Sequence, residues 1–142
     1  MRTLRALATL ALLGAAGCTS APSSAFNAPI VGTWDYAATQ ESPTAASIIG
    51  TLKVDDQSNG NFTGSLSITL TPSGGGSPVT STGPLTGQSV SATAVEFDAC
   101  LDACTVPWTH LGQISGDSLV GRWAQAQPGG ASGTFRAHRT AP

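Results

Sequence analysis

Apolar and hydroxyl-bearing residues alternate along most of the chain beyond residue 30. Phe62, Gly64, Leu66, Ile68 and Leu70 share one parity, and Thr63, Ser65, Ser67, Thr69 and Thr71 share the other. A period of two sends one set to a core and the other to solvent, so it predicts a half-buried strand. Ile48, Gly50, Leu52 and Val54 repeat the pattern against Ile49, Thr51, Lys53 and Asp55. The Asn59-Gly60 pair between the two runs favours a positive-φ hairpin turn.

Further runs follow at similar spacing. Residues 30–38 carry Trp34 and Tyr36 on one parity. Residues 79–85 contain Gly83-Pro84, which suggests an edge or a bulge. Residues 89–99 set Val95, Phe97 and Ala99 against Glu96 and Asp98. Residues 106–114 group Val106, Trp108, His110 and Ile114, residues 118–125 group Leu119 and Trp123, and residues 132–139 end the series. Turn signals separate them at Gly74-Gly75-Gly76, Ser115-Gly116-Asp117 and Pro128-Gly129-Gly130. Beyond the N-terminal segment no stretch has a helical period. The pattern predicts an all-β domain of about eight antiparallel strands, either an up-and-down barrel or a β-sandwich. Glycines in or beside strands (Gly50, Gly64, Gly87, Gly112, Gly121, Gly133) favour the barrel, because tight curvature needs repeated bends.

The first residues follow another order. Arg2 and Arg5 precede an apolar run over residues 6–13, and the small residues Gly14, Ala15, Ala16 and Gly17 follow. Charged, apolar and small regions in that order make a secretory signal, and the run is too short to span a bilayer as a helix. Ala15-Ala16-Gly17-Cys18 resembles the lipobox of bacterial lipoproteins, with Ala15 where Leu is usual. The resemblance implies cleavage before Cys18 and lipid on Cys18. Ordinary cleavage leaving a free Cys18 thiol is the alternative. Thr19 after the cysteine implies the outer membrane by the sorting pattern of such lipoproteins. The expected organisation is a signal at 1–17, a lipid-anchored tether rich in Ser, Ala and Pro at 18–29, and a β-domain at 30–142.

Removing the signal takes two arginines. Lys53, Arg122, Arg136 and Arg139 then face eight carboxylates, a net charge of −4. That balance argues against a nucleic-acid partner and against a basic membrane-docking patch.

Gly32-Thr33-Trp34 at the start of the first run resembles the Gly-x-Trp opening of lipocalins and avidins. The resemblance implies a small barrel whose tryptophan sits at the closed end and packs on a basic residue from the last strand. Arg139, which shares parity with Phe135 and Ala137, fits that role for Trp34, with Arg136 as substitute. Where avidins place the polar residues that hold biotin, this chain has Asp35-Tyr36-Ala37-Ala38, so biotin is not implied.

With Cys18 set aside, Cys100 and Cys104 are an even pair in an exported chain, which predicts a disulfide closing a short loop. A metal site with Asp98 or Asp102 is the alternative, but no second Cys or His pair completes a zinc set. No serine lies in a nucleophile-elbow motif, and no Ser-His-Asp or Cys-His arrangement can be assembled, so the chain is not expected to be an enzyme. No cofactor is implied. Tyr36, Trp108, His110 and Trp123 would fill the barrel interior, or would line a mouth for a small apolar ligand. The leading expectation is a lipid-anchored envelope protein that binds such a ligand without catalysis. The alternatives are a protein-binding module using the 100–104 loop, such as a periplasmic protease or lysozyme inhibitor, and a structural envelope lipoprotein.

Overall fold

A computed structural model describes residues 26–142. The signal 1–17, Cys18 and most of the tether fall outside the described residues. The described chain forms eight strands: β1 (Gly32–Ser42), β2 (Ala46–Ser58), β3 (Asn61–Pro72), β4 (Val79–Ser89), β5 (Ala94–Ala99), β6 (Trp108–Ser115), β7 (Ser118–Gln125) and β8 (Ser132–Ala141). Each pairs antiparallel with its sequence neighbours, and β8 returns to β1, so the sheet is a closed barrel and not a sandwich. Closure gives every strand a neighbour on each side.

Alternation becomes inside and outside. Leu66 and Ile68 are buried while Ser67 and Thr69 are not, and the same parity holds along β2, β5 and β8. Turns at one end are tight. Asn59 and Gly60 both have positive φ (51° and 81°) in the two-residue link between β2 and β3, and Gly116 (φ 58°) opens the link between β6 and β7. The opposite end carries the longer loops, 73–78, 100–107 and 126–131.

Two inward glycines show how tightly the wall bends. A Cβ on Gly133 would collide with the Thr39 carbonyl of the neighbouring strand. One on Gly87 would strike the Phe62 and Phe97 side chains. Gly133 therefore lets two backbones meet, and Gly87 leaves room for two rings.

Several boundaries differ from the sequence pattern. Ser89 ends β4, and β5 starts only at Ala94, because residues 90–93 form a turn in which the Val90 amide donates to the Ala94 carbonyl at 2.8 Å. Val106 lies in the loop before β6, not on its inward face. Residues 79–85 form part of a full strand, with Gly83 and Pro84 paired to Leu66 and Ser65 of β3. Pro84 lacks an amide but still accepts at its carbonyl, from Cys100 N at 2.9 Å.

Residues 27–31 close the tight-turn end. Ala28 and Ile30 are fully buried, so packing begins upstream of Ile30. The Gly60 amide donates to Asn27 Oδ1 at 2.9 Å, and the Ala28 amide donates to Ser89 Oγ at 3.0 Å. Trp34 Nε1 donates to the Ile30 carbonyl at 2.9 Å. The Arg139 guanidinium lies 4.2 Å from the Trp34 ring centroid and donates to the Pro29 and Val31 carbonyls. Trp34 and Arg139 are direct cross-strand partners. Arg136 faces outward instead. A cation over an indole is worth about 0.5–2 kcal/mol, rising with desolvation.

Candidate ligand site at the open end of the barrel

Inward residues of the middle layer form an aromatic cluster. The His110 ring stacks on Phe97, with centroids 4.4 Å apart and planes 7° from parallel. Phe135 meets His110 edge-on at 5.1 Å and stacks with Tyr36 at 5.7 Å. The strand register makes this possible, since Phe97 of β5 pairs with His110 of β6.

His110 is fully buried, yet both ring nitrogens have partners. Its Nδ1 lies 2.8 Å from the Trp108 carbonyl, which can only accept, so Nδ1 carries the proton. Nε2, 3.1 Å from the Tyr36 hydroxyl, then accepts from it. Burial is the largest influence on His110 and pushes its pKa down to about 4, against smaller upward pulls from the Trp108 carbonyl and Asp98. Burial likewise raises the Tyr36 pKa. Both groups are neutral at pH 7, and each satisfies the other.

The end with the longer loops is built differently. Trp108, first residue of β6, is half-buried and stacks on Trp123 of β7, with centroids 4.3 Å apart and planes 9° from parallel. The Cys100–Cys104 disulfide closes the loop that follows β5. Leu101 lies two residues beyond Ala99 on the same parity and is buried in the core cluster. The loop is fastened to β4, since Cys100 N donates to the Pro84 carbonyl and Asp102 N to the Thr82 carbonyl, both at 2.9 Å. Hydrogen bonds from the Ser81 hydroxyl and the Thr82 amide lower the Asp102 pKa. With each sulfur bonded to the other, neither cysteine is a thiolate for a metal.

Thus the four residues read as a ligand lining make two contacts, Tyr36 with His110 in the middle layer and Trp108 with Trp123 at the mouth. The inward side chains of both layers are packed on one another. The sequence pattern did not disclose that Leu101 joins the core from the loop, although it is the one large apolar residue between the two cysteines. Phe97 and Phe135 complete the cluster, and their inward parity was readable. One polar atom stands apart. Trp123 is 1% exposed, and its Nε1 has no hydrogen-bond partner among the described residues.

Two depressions lie on the outer wall. One of about 480 Å³ sits over Ala37 and is flanked by Ile49, Thr134 and Arg136. One of about 310 Å³ is lined by Asp35, Ser118, Val120 and His138. Register aligns Asp35 with His138 and His138 with Ser118. All three are exposed, and no hydrogen bond joins them among the described residues, so the row lacks the contacts a nucleophilic triad needs.

No protein-family model matches the chain, and no curated protein matches it. Solved structures do. The chain is similar to a de novo designed fluorescence-activating β-barrel (TM-score 0.57, 16% identity, covering 78% of this chain and 93% of that one). It is also similar to EF1p2_mFAP2b bound to DFHBI (TM-score 0.61, 12% identity, 78% and 93% covered). A third is the redesigned barrel mFAP1 bound to DFHBI (TM-score 0.57, 14% identity, 77% and 94% covered). At these identities the likeness is one of fold, an eight-stranded antiparallel barrel.

Proposed function

We propose that this chain is a lipid-anchored envelope protein, seated in the outer membrane by its sorting residue Thr19, whose barrel binds a small apolar molecule at its open end without catalysis. The stacked Trp108–Trp123 pair at the mouth carries the reading. It offers an aromatic wall at the end of the barrel where Leu101 of the disulfide loop joins the core cluster and where one ring is still half-exposed. Barrels of the same fold that hold DFHBI support it. Because Leu101 points into the mouth, the disulfide loop belongs to this site, which favours it over a protein-docking role for residues 100–104. The ligand enters by displacing Leu101 and packs beside the indole pair.

Titration of the protein with palmitate, riboflavin, haemin and DFHBI, followed by tryptophan emission, tests the proposal. Trp34 is sealed at the far end and supplies a constant background. The expected result is a saturable change with at least one compound, lost in Trp108→Ala. A flat response to the whole panel overturns the reading.

A further inference from the structure

The polar inventory of the interior restricts what the mouth can receive. No Lys, Arg, Asp or Glu side chain is buried among the described residues. The Arg139 guanidinium is committed at the closed end, to Trp34 and two backbone carbonyls. In the middle layer the Tyr36 hydroxyl and both nitrogens of His110 are used within the protein. One donor remains. Trp123 Nε1 is sealed from solvent and faces no acceptor among the described residues. Tryptophan at a buried position ordinarily has its N–H paired, and an orphaned buried donor is costly. Phenylalanine would fill much of the same place with no such cost. Trp108 cannot serve as the acceptor, because its ring lies parallel to Trp123, over its face, whereas the N–H points along the ring plane.

We propose that the occupant of the mouth is a neutral apolar compound carrying one hydrogen-bond acceptor, a ketone, aldehyde or ester carbonyl, that meets the edge of Trp123 and accepts from its Nε1. This rests on the reading of the mouth as a ligand site and adds the chemical class. Trp108 remains stacked as the wall, and the carbonyl lies in the plane of the Trp123 ring. A carboxylate is disfavoured, because no buried cation waits to offset its desolvation. A pure hydrocarbon that displaces Leu101 packs beside the indoles but leaves the donor unpaired.

Three probes of one framework separate these cases: fluorenone with a carbonyl, fluorene without one, and fluorene-9-carboxylate with a charge. Affinities are measured by calorimetry at pH 7.5 on the wild type and on Trp123→Phe, which keeps an aromatic ring and loses the N–H. Fluorenone is expected to bind on the order of tenfold more tightly than either of the other two, as one hydrogen bond to an otherwise unpaired buried donor predicts. In Trp123→Phe the fluorenone preference over fluorene falls to about one. A measurement on the wild type alone guards against a variant that folds poorly. The indole N–H proton resonance of Trp123 shifts on adding fluorenone and stays in place with fluorene. Equal binding of fluorenone and fluorene, with no shift, overturns the acceptor assignment and leaves the mouth as an apolar site. Binding of the carboxylate as tight as that of fluorenone overturns the neutral class. Failure of all three to bind overturns the mouth reading together with this one.

Discussion

At the residue scale, His110 sets the chemistry of the interior. An imidazole placed among Phe97, Phe135 and Tyr36 resists protonation, since the buried charge would lose its hydration and the Tyr36 hydroxyl already donates to Nε2. Its folded pKa of about 4 lies below the ordinary 6.5, so the unfolded chain takes the proton first as pH falls. The contribution of His110 is complete only well above pH 6.5 and is lost progressively as pH drops through 6.5 toward 4. Linkage gives a loss of about 2 kcal/mol between pH 7 and pH 5. Urea unfolding of the wild type should show that slope, and His110→Gln should flatten it. An equal slope in the variant would place the acid sensitivity elsewhere. The sequence already put His110 and Trp108 on one face, because parity is local. It did not reveal the pairing of His110 with Tyr36, which is 74 positions away. Nor did it show the unpaired Trp123 N–H, which depends on what every neighbour does with its own acceptors.

At the scale of elements, the connection between β5 and β6 does more than link two strands. Its disulfide joins residues four apart, and its backbone hydrogen bonds extend the β4 ladder past Ala99. Asp102 and Ala103 both take positive φ (52° and 55°), a conformation that costs energy in residues with a Cβ and needs enforcement. The covalent link and the β4 hydrogen bonds supply it. Closing so short a loop contributes about 2 kcal/mol by chain entropy. The double variant Cys100→Ser/Cys104→Ser should lose about that much in urea unfolding. It should also shift tryptophan emission to the red as Leu101 withdraws and Trp108 gains solvent. Unchanged emission would mean that Leu101 does not hold the mouth shut. Here the spacing of the cysteines gave the bond itself, while the strand limits around it were misplaced. Val106 shares parity with Trp108, but Pro107 and the loop path take it off the ladder. Ser89 shares parity with Val95, but its amide donates to the Gly60 carbonyl at 2.7 Å, which keeps it with β4.

At the scale of the whole molecule, the barrel depends on β1 meeting β8, a pairing between the two ends of the domain. Strand number, alternation and hairpin order were legible because each is written within a few residues. That the wall closes was suggested by Gly-x-Trp and by the glycines. Which inward side chains meet was not, because packing depends on volumes contributed from eight strands at once. The proposed anchor belongs to this scale too. Fractionation of cells expressing the full chain should place it with membranes, and Cys18→Ala should release it to the soluble fraction and abolish labelling by radioactive palmitate. Retention of label in the variant would remove the lipid from the account. The capping segment also fixes a direction. The chain enters the barrel at Asn27, beside Gly60 and Ser89, at the end opposite Trp108. A lipid at Cys18 would thus attach on the side of the sealed base, leaving the mouth as the end of the barrel farthest along the wall from the point of attachment.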